Sequence, residues 1–143
     1  KLVEVKPSNE DQRQAFQVTK DLIGAYANLK GVWGISSVSF PAAAEAIKQS
    51  GKAGQIFVTG LSTPNDMKPA VKEGTVASVI LWNTVDLGYL TIQAAHAVAK
   101  GELKAGATTL KAGRLGEKKV EGDKVMLGDI LVFTKENIDK YDF

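Results

Sequence analysis

The chain of 143 residues has no cysteine and only one histidine, His96. The first absence excludes disulfide frameworks, thiolate metal sites and cysteine nucleophiles. A lone histidine cannot assemble a metal cluster or a catalytic triad, and the neighbours Ile92, Ala99 and Lys100 place His96 on a half-buried helix face with a structural role. Charge of one sign is also scarce. The formal net charge is +2, and the lysines are scattered rather than striped, which argues against a nucleic-acid partner. No apolar run approaches the ~20 residues of a membrane helix. The glycines form neither GxGxxG nor a P-loop, and HExxH, GxSxG and metal-ligand spacings are missing. Asp139 and Asp142 are paired carboxylates in a polar tail. Nothing calls for a cofactor or a metal, and nothing argues for an enzyme.

What is present is an alternation of strands and helices. Leu2–Val5 alternates apolar and charged residues and reads as an edge strand stopped by Pro7. Ser8 or Asn9 offers a cap for a helix carrying Ala15, Val18, Leu22 and Tyr26 at helical spacing and ending near Asn28. Gly31–Ile35 reads as a short buried strand. Phe40 and Pro41 open an alanine-rich helix that runs to about Gln49. A strand over Gln55–Val58, a short helix over Asn65–Glu73 closed by Gly74, a strand over Val76–Trp82 and a helix over Asp86–Lys100 follow. Asp86 reads as a helix cap. Beyond a polar loop, Leu110–Leu127 suggests hairpins, Asp129–Phe133 a last strand, and Thr134–Phe143 a polar tail tipped with aromatics. Strands and helices joined by short loops give an α/β fold, a parallel sheet flanked by helices in a three-layer sandwich.

Polar and aromatic side chains gather at the strand ends. Ser36, Ser37 and Ser39 follow the second strand, Ser62 and Thr63 the third, Trp82 and Asn83 the fourth. In a parallel sheet these emerge at one edge, where open α/β sheets bind ligands. Hydroxyls and an amide direct hydrogen bonds, and an indole face stacks on sugar C–H faces, which suits a small polyhydroxylated ligand. The competing reading is that serines after strands cap helices.

The same residues carry a resemblance. Gly60-Leu61-Ser62-Thr63-Pro64-Asn65, the Gly74-Thr75-Val76 turn, Leu81-Trp82-Asn83 with Asp86-Leu87-Gly88-Tyr89, and the ending Lys135-Glu136-Asn137-Ile138-Asp139-Lys140-Tyr141-Asp142-Phe143 resemble the solute-binding proteins of sugar ABC transporters. These have the type I periplasmic-binding fold, and the branch resembled holds rhamnose-binding and autoinducer-2-binding proteins. The resemblance implies two α/β lobes with a ligand clamped between them, and covers only the C-terminal part of such a protein. It assigns residues 1–82 to most of the C-terminal lobe, 83–109 to a hinge crossing and a helix of the other lobe, and 110–143 to a return segment and tail. It implies ligand contacts at Pro41 and Ala43, polar contacts at Ser36 and Ser37, and a binding position at Ser62, where ribose-type relatives carry Asp. Trp82, beside Asn83, stands where those relatives have a hinge glutamine. Both departures argue against ribose.

The implied function is capture of rhamnose or autoinducer-2 in a periplasmic or extracellular, membrane-anchored setting for delivery to ABC-transporter membrane subunits. The alternative is the ligand-sensing domain of a LacI-type transcription regulator, which shares the fold; the ending favours the transporter branch. An α/β enzyme is a third class, but the strand ends lack its acidic cluster or nucleophile. The chain opens on Lys1, in what reads as mid-strand, as expected of a processed chain or fragment. The resemblance places a further strand between Leu2–Val5 and Val32–Ile35. Without it two edges and an apolar helix face would be uncovered, so the chain is expected to need a companion fragment or a second copy to complete its fold. A monomer with a closed, fully paired sheet would refute this.

Overall fold

The computed structural model describes all residues, Lys1–Phe143. The chain divides into two compact units, Lys1–Leu81 with Val132–Phe143, and Trp82–Leu131. No helix is long and apolar enough to cross a membrane.

The first unit is the α/β body. Its elements are α1 (Gln12–Ala25), β1 (Gly31–Gly34), α2 (Ser39–Gln49), β2 (Phe57–Gly60), α3 (Pro64–Glu73) and β3 (Val79–Leu81). The expected parallel sheet is present. β1 and β2 pair in parallel from Gly31–Phe57 to Gly34–Gly60, and Leu61 continues the sheet through a parallel bridge to Ile80. Between the sheet and α2, Val58 of β2 and Ala43 of α2 are buried, and Phe40, Ala46 and Ile47 of α2 are fully so. α3 starts at a Thr63 cap whose hydroxyl accepts from the Asp66 amide, and ends at Gly74, whose φ of 87° is left-handed and suits glycine. The final strand, Leu131–Phe133, pairs with β3.

Several boundaries differ from expectation for local reasons. Leu2–Val5 is not a strand: nothing pairs with it, and Leu2 and Val5 are exposed. An alternating sequence without a ladder partner leaves its backbone groups to water. The segment is held instead by Tyr26, whose hydroxyl donates to Glu4 at 2.7 Å, and by Lys6 at 2.5 Å from the same carboxylate. The cap of α1 is Asp11, which accepts from the Gln14 amide at 2.7 Å, not Ser8 or Asn9. Asn9 and Glu10 sit at φ of 51° and 54°, a turn that delays the helix. α1 ends at Ala25, short of Asn28. β2 lies two residues later than expected, because the amides of Gln55 and Ile56 are drawn into a turn on the Lys52 carbonyl. β3 is shorter than expected, because the Val76 amide turns back to the Ala70 carbonyl. β1 is not buried on both faces, since Trp33 and Ile35 are exposed.

The ending is docked rather than trailing. Phe133 and Ile138 are fully buried, and Phe133, Tyr141 and Phe143 form an edge-to-face cluster with centroids 4.6 to 6.2 Å apart. Lys68 of α3 donates to the Tyr141 carbonyl at 2.6 Å, and the Asn65 amide nitrogen to Asp142 at 3.1 Å.

α2 and α3 are joined by Lys48 and Glu73, 2.7 Å apart. Lys48 holds the Glu73 carboxyl below its ordinary value, with a second bond from Thr75, and Glu73 raises Lys48. A depressed carboxyl stabilises the fold above its unfolded pKa and loses that contribution as pH falls through the folded value, so this bond is lost only at a pH below the ordinary glutamate range. Lys48→Met is expected to move the Glu73 titration upward, toward but short of the ordinary value because the Thr75 bond remains. A carboxyl-carbon NMR titration checks the direction.

The second unit packs α4 (Thr84–Ala99) on an antiparallel sheet of β4 (Thr109–Lys111), β5 (Glu117–Glu121) and β6 (Lys124–Val125). This is the hairpin structure expected for Leu110–Leu127. Its core is Leu90, Ala97, Leu110 and Ala112, flanked by Leu115, Val120 and Val125. Arg114 stacks on Tyr89, 4.4 Å from the ring centroid, and pairs with Asp86 at 2.7 Å. Asp86 is thus an ion-pair partner and not the cap; Asn83 caps α4 by accepting the Asp86 amide at 3.0 Å. His96 is exposed, contrary to the half-buried face expected. The last strand begins at Leu131 and not Asp129.

Candidate functional site

The parallel pairing of β1 and β2 brings two serine-bearing turns to one end of the sheet. Ser36 and Ser62 each lie two residues beyond a paired glycine, Gly34 and Gly60. The register is held by the Leu61 amide, which donates to the Gly34 carbonyl at 3.0 Å. The approach is close because neither glycine has a side chain. A Cβ at Gly34 would lie 2.4 Å from Phe40 Cα.

The serines differ in what they already do. Ser36 is half-buried and engaged with α2: its hydroxyl accepts the Ser39 amide at 3.1 Å and lies 3.1 Å from the Ser39 hydroxyl. Ser36 thus spends its hydroxyl on the first residue of α2, two residues before the helix's own cap position at Val38. Ser37 is exposed. Ser62 is 1% exposed, and its hydroxyl has no hydrogen-bond partner. A buried hydroxyl left unpaired costs on the order of 1–3 kcal/mol. Ser62→Ala is expected to stabilise the unliganded chain by about 1 kcal/mol; a lower urea midpoint would show that the hydroxyl has a partner after all.

Pro41 stands in the first turn of α2, half-buried, and lines a groove of about 190 Å³ with Glu45, Asp66, Met67 and Thr75. Ala43 is 3% exposed, so its methyl group belongs to the core. Trp82 and Asn83 open the second unit, directly after β3. Trp82 is 37% exposed, and Asn83 spends its carbonyl on capping α4, leaving its amide nitrogen. No group of three or more His, Cys, Asp or Glu side chains could hold a metal ion. The structure thus brings Ser36, Ser37 and Ser62 to one sheet end.

Sequence reasoning missed the Ser36–Ser39 pair, the glycine contact under Phe40 and the Arg114–Asp86–Tyr89 cluster. A serine three residues before another at a helix start could have shown the first. The last joins residues 25 or more apart, with no local signal.

The periplasmic binding protein domain family matches residues 1–103. A sugar ABC transporter protein from Actinomyces odontolyticus is 35% identical and superposes with a TM-score of 0.78 over 95% of this chain and 44% of its own. LsrB from Clostridium saccharobutylicum, solved in complex with AI-2, is 24% identical, with a TM-score of 0.78 over 95% of this chain and 47% of its own. An ABC transporter solute-binding protein from Clostridium phytofermentas, solved with bound L-rhamnose, is 22% identical, with a TM-score of 0.80 over 93% of this chain and 46% of its own. The chain spans less than half the length of each.

Proposed function

This chain belongs to the periplasmic binding protein domain family, a family of binding proteins and not of enzymes, and from that premise we propose that it is part of the substrate-binding component of a sugar ABC importer. The complete protein would take a small sugar or sugar-like signal, rhamnose or AI-2, between two lobes outside the cytoplasm and deliver it to the membrane subunits. The observation that carries the reading is the serine-bearing end of β1 and β2, with the unpartnered Ser62 hydroxyl beside the exposed Ser37 turn. A ligand hydroxyl bonding Ser62 would recover the cost of its burial. Pro41 and the backbone of Ala43 would add shape, Asn83 an amide donor and Trp82 a stacking face. Ligand would bias an open–closed equilibrium toward the closed state.

Isothermal titration calorimetry with L-rhamnose and with AI-2 on the complete protein tests this. Saturable heat with one of them is expected; no heat from either would sink the proposal. In the same protein, Trp82→Ala should weaken affinity at least tenfold, about 1.4 kcal/mol. Unchanged affinity would remove Trp82 from the site.

A further inference from the structure

Within the second unit, the start of α4 is tied down from a distance. Asn83 caps the helix: its side-chain oxygen accepts the Asp86 amide at 3.0 Å, and its backbone carbonyl accepts the Leu87 amide at 2.9 Å. The oxygen is spent on the cap, and the amide nitrogen of this exposed side chain is left for another acceptor. Asp86 and Tyr89 lie in the first and second turns of α4. Both are held by Arg114, whose guanidinium pairs with the Asp86 carboxylate at 2.7 Å and lies over the Tyr89 ring, 4.4 Å from its centroid. The Arg114 backbone amide also donates to the Tyr89 hydroxyl at 3.2 Å. Arg114 sits on a short 3-10 turn, Gly113–Leu115, whose flanks are fixed, since Ala112 is fully buried and Leu115 packs on the core of this unit. A Cβ at Gly113 would fall 2.2 Å from the Tyr89 hydroxyl, so turn and ring approach as closely as a glycine permits.

We propose that Arg114 is a positioning residue for the ligand: by holding Asp86 and Tyr89 it fixes the first turns of α4, and with them the direction in which Asn83 offers its amide nitrogen to a sugar hydroxyl. This rests on the reading of Asn83 as a ligand donor and deepens it, since Arg114 itself touches no ligand. The clamp contributes little to folding, because the Arg114 side chain is half exposed and such ion pairs are weak. Its effect is directional. A planar guanidinium can pair with a carboxylate and stack on a ring at once, which holds both groups in one geometry. When a helix start is loose, its capping side chain samples several directions, and a bond to ligand is weakened by the entropy of ordering it. Held beforehand, the same bond is stronger without any new contact.

The test compares Arg114→Ala with Lys119→Ala in the complete protein. Lys119 pairs with Glu121 on β5, so its loss removes the same charge from the same unit without touching α4. The first measurement uses no sugar and stands whether or not the ligand assignment does. In Arg114→Ala the side-chain amide signals of Asn83 should shift by NMR and the Asp86 amide should exchange about threefold faster; in Lys119→Ala neither should change. Calorimetry follows with whichever of L-rhamnose and AI-2 gives heat. Arg114→Ala should weaken binding about fivefold, and should weaken it no further when Asn83 is already alanine. A role confined to stability would give the same loss in both backgrounds. Asn83 signals that stay in place in Arg114→Ala, or losses that add in the double variant, would overturn the proposal. Heat from neither sugar would sink the reading of Asn83 as a ligand donor and the proposal with it, a failure told apart from a missing clamp by Asn83 signals that still move.

Discussion

Gly60→Ala is expected to destabilise the chain by about 3 kcal/mol, the upper end of the usual cost of forcing atoms into a packed core. The reason is space and not backbone conformation. A Cβ on Gly60 would lie 2.0 Å from the Gly34 carbonyl oxygen, 2.9 Å from its carbon and 2.9 Å from Phe40 Cγ. Two of these are backbone atoms of the neighbouring strand, and the third belongs to a ring that is fully buried. None can move without opening the β1–β2 pairing that sets Ser36 and Ser62 side by side. The control is Gly24→Ala in α1, where a new Cβ meets nothing within 4 Å. There the gain in helix propensity should stabilise by roughly 0.5–1 kcal/mol. Urea denaturation of both variants decides the matter. A Gly60→Ala midpoint equal to that of the parent would refute the close packing of β2 on β1 and Phe40.

Why some of this was legible in the sequence, and some not, follows from the range of each interaction. α3 and its Gly74 terminus were readable because helix spacing and a left-handed glycine are local. α2 was readable from Pro41 and its alanines. Leu2–Val5 was misread because a strand is defined by its neighbour, and the pattern alone cannot supply one. β2 shifted because the Lys52 turn captures two amides that the pattern assigned to the strand. The strand-end serines are legible as a group, but their division into a Ser36 hydroxyl bonded to Ser39 and a buried, unpartnered hydroxyl at Ser62 depends on packing. The ending shows the same limit. Its charged residues read as a solvated tail, while Phe133 packs on Tyr141 and Phe143, and Ile138 and Tyr141 meet α3, only after the chain has folded back on itself.

That anchoring sets the second large effect, Phe133→Ala, expected to cost about 3–5 kcal/mol. Phe133 is fully buried and meets Tyr141 edge-on at 4.6 Å and Phe143 at 6.2 Å. Truncation removes the ring's burial, leaves a cavity and breaks both aromatic pairs, each worth about 0.5–1.5 kcal/mol beyond area. The polar links to α3 do not replace it. Lys72 and Asp139 are 2.7 Å apart but more than half exposed, and exposed pairs contribute about 0–1 kcal/mol. Asp139→Ala should therefore leave stability nearly unchanged while Phe133→Ala lowers the denaturation midpoint steeply. Hydrogen exchange carries the comparison to the serine-bearing end of the sheet. Lys68 and Asn65 hold Tyr141 and Asp142 from the first turns of α3, the helix that begins two residues after Ser62. In Phe133→Ala the amides of that first turn should exchange faster; in Asp139→Ala they should not. Equal effects from the two variants would mean that charge, and not the aromatic cluster, fixes the ending against α3.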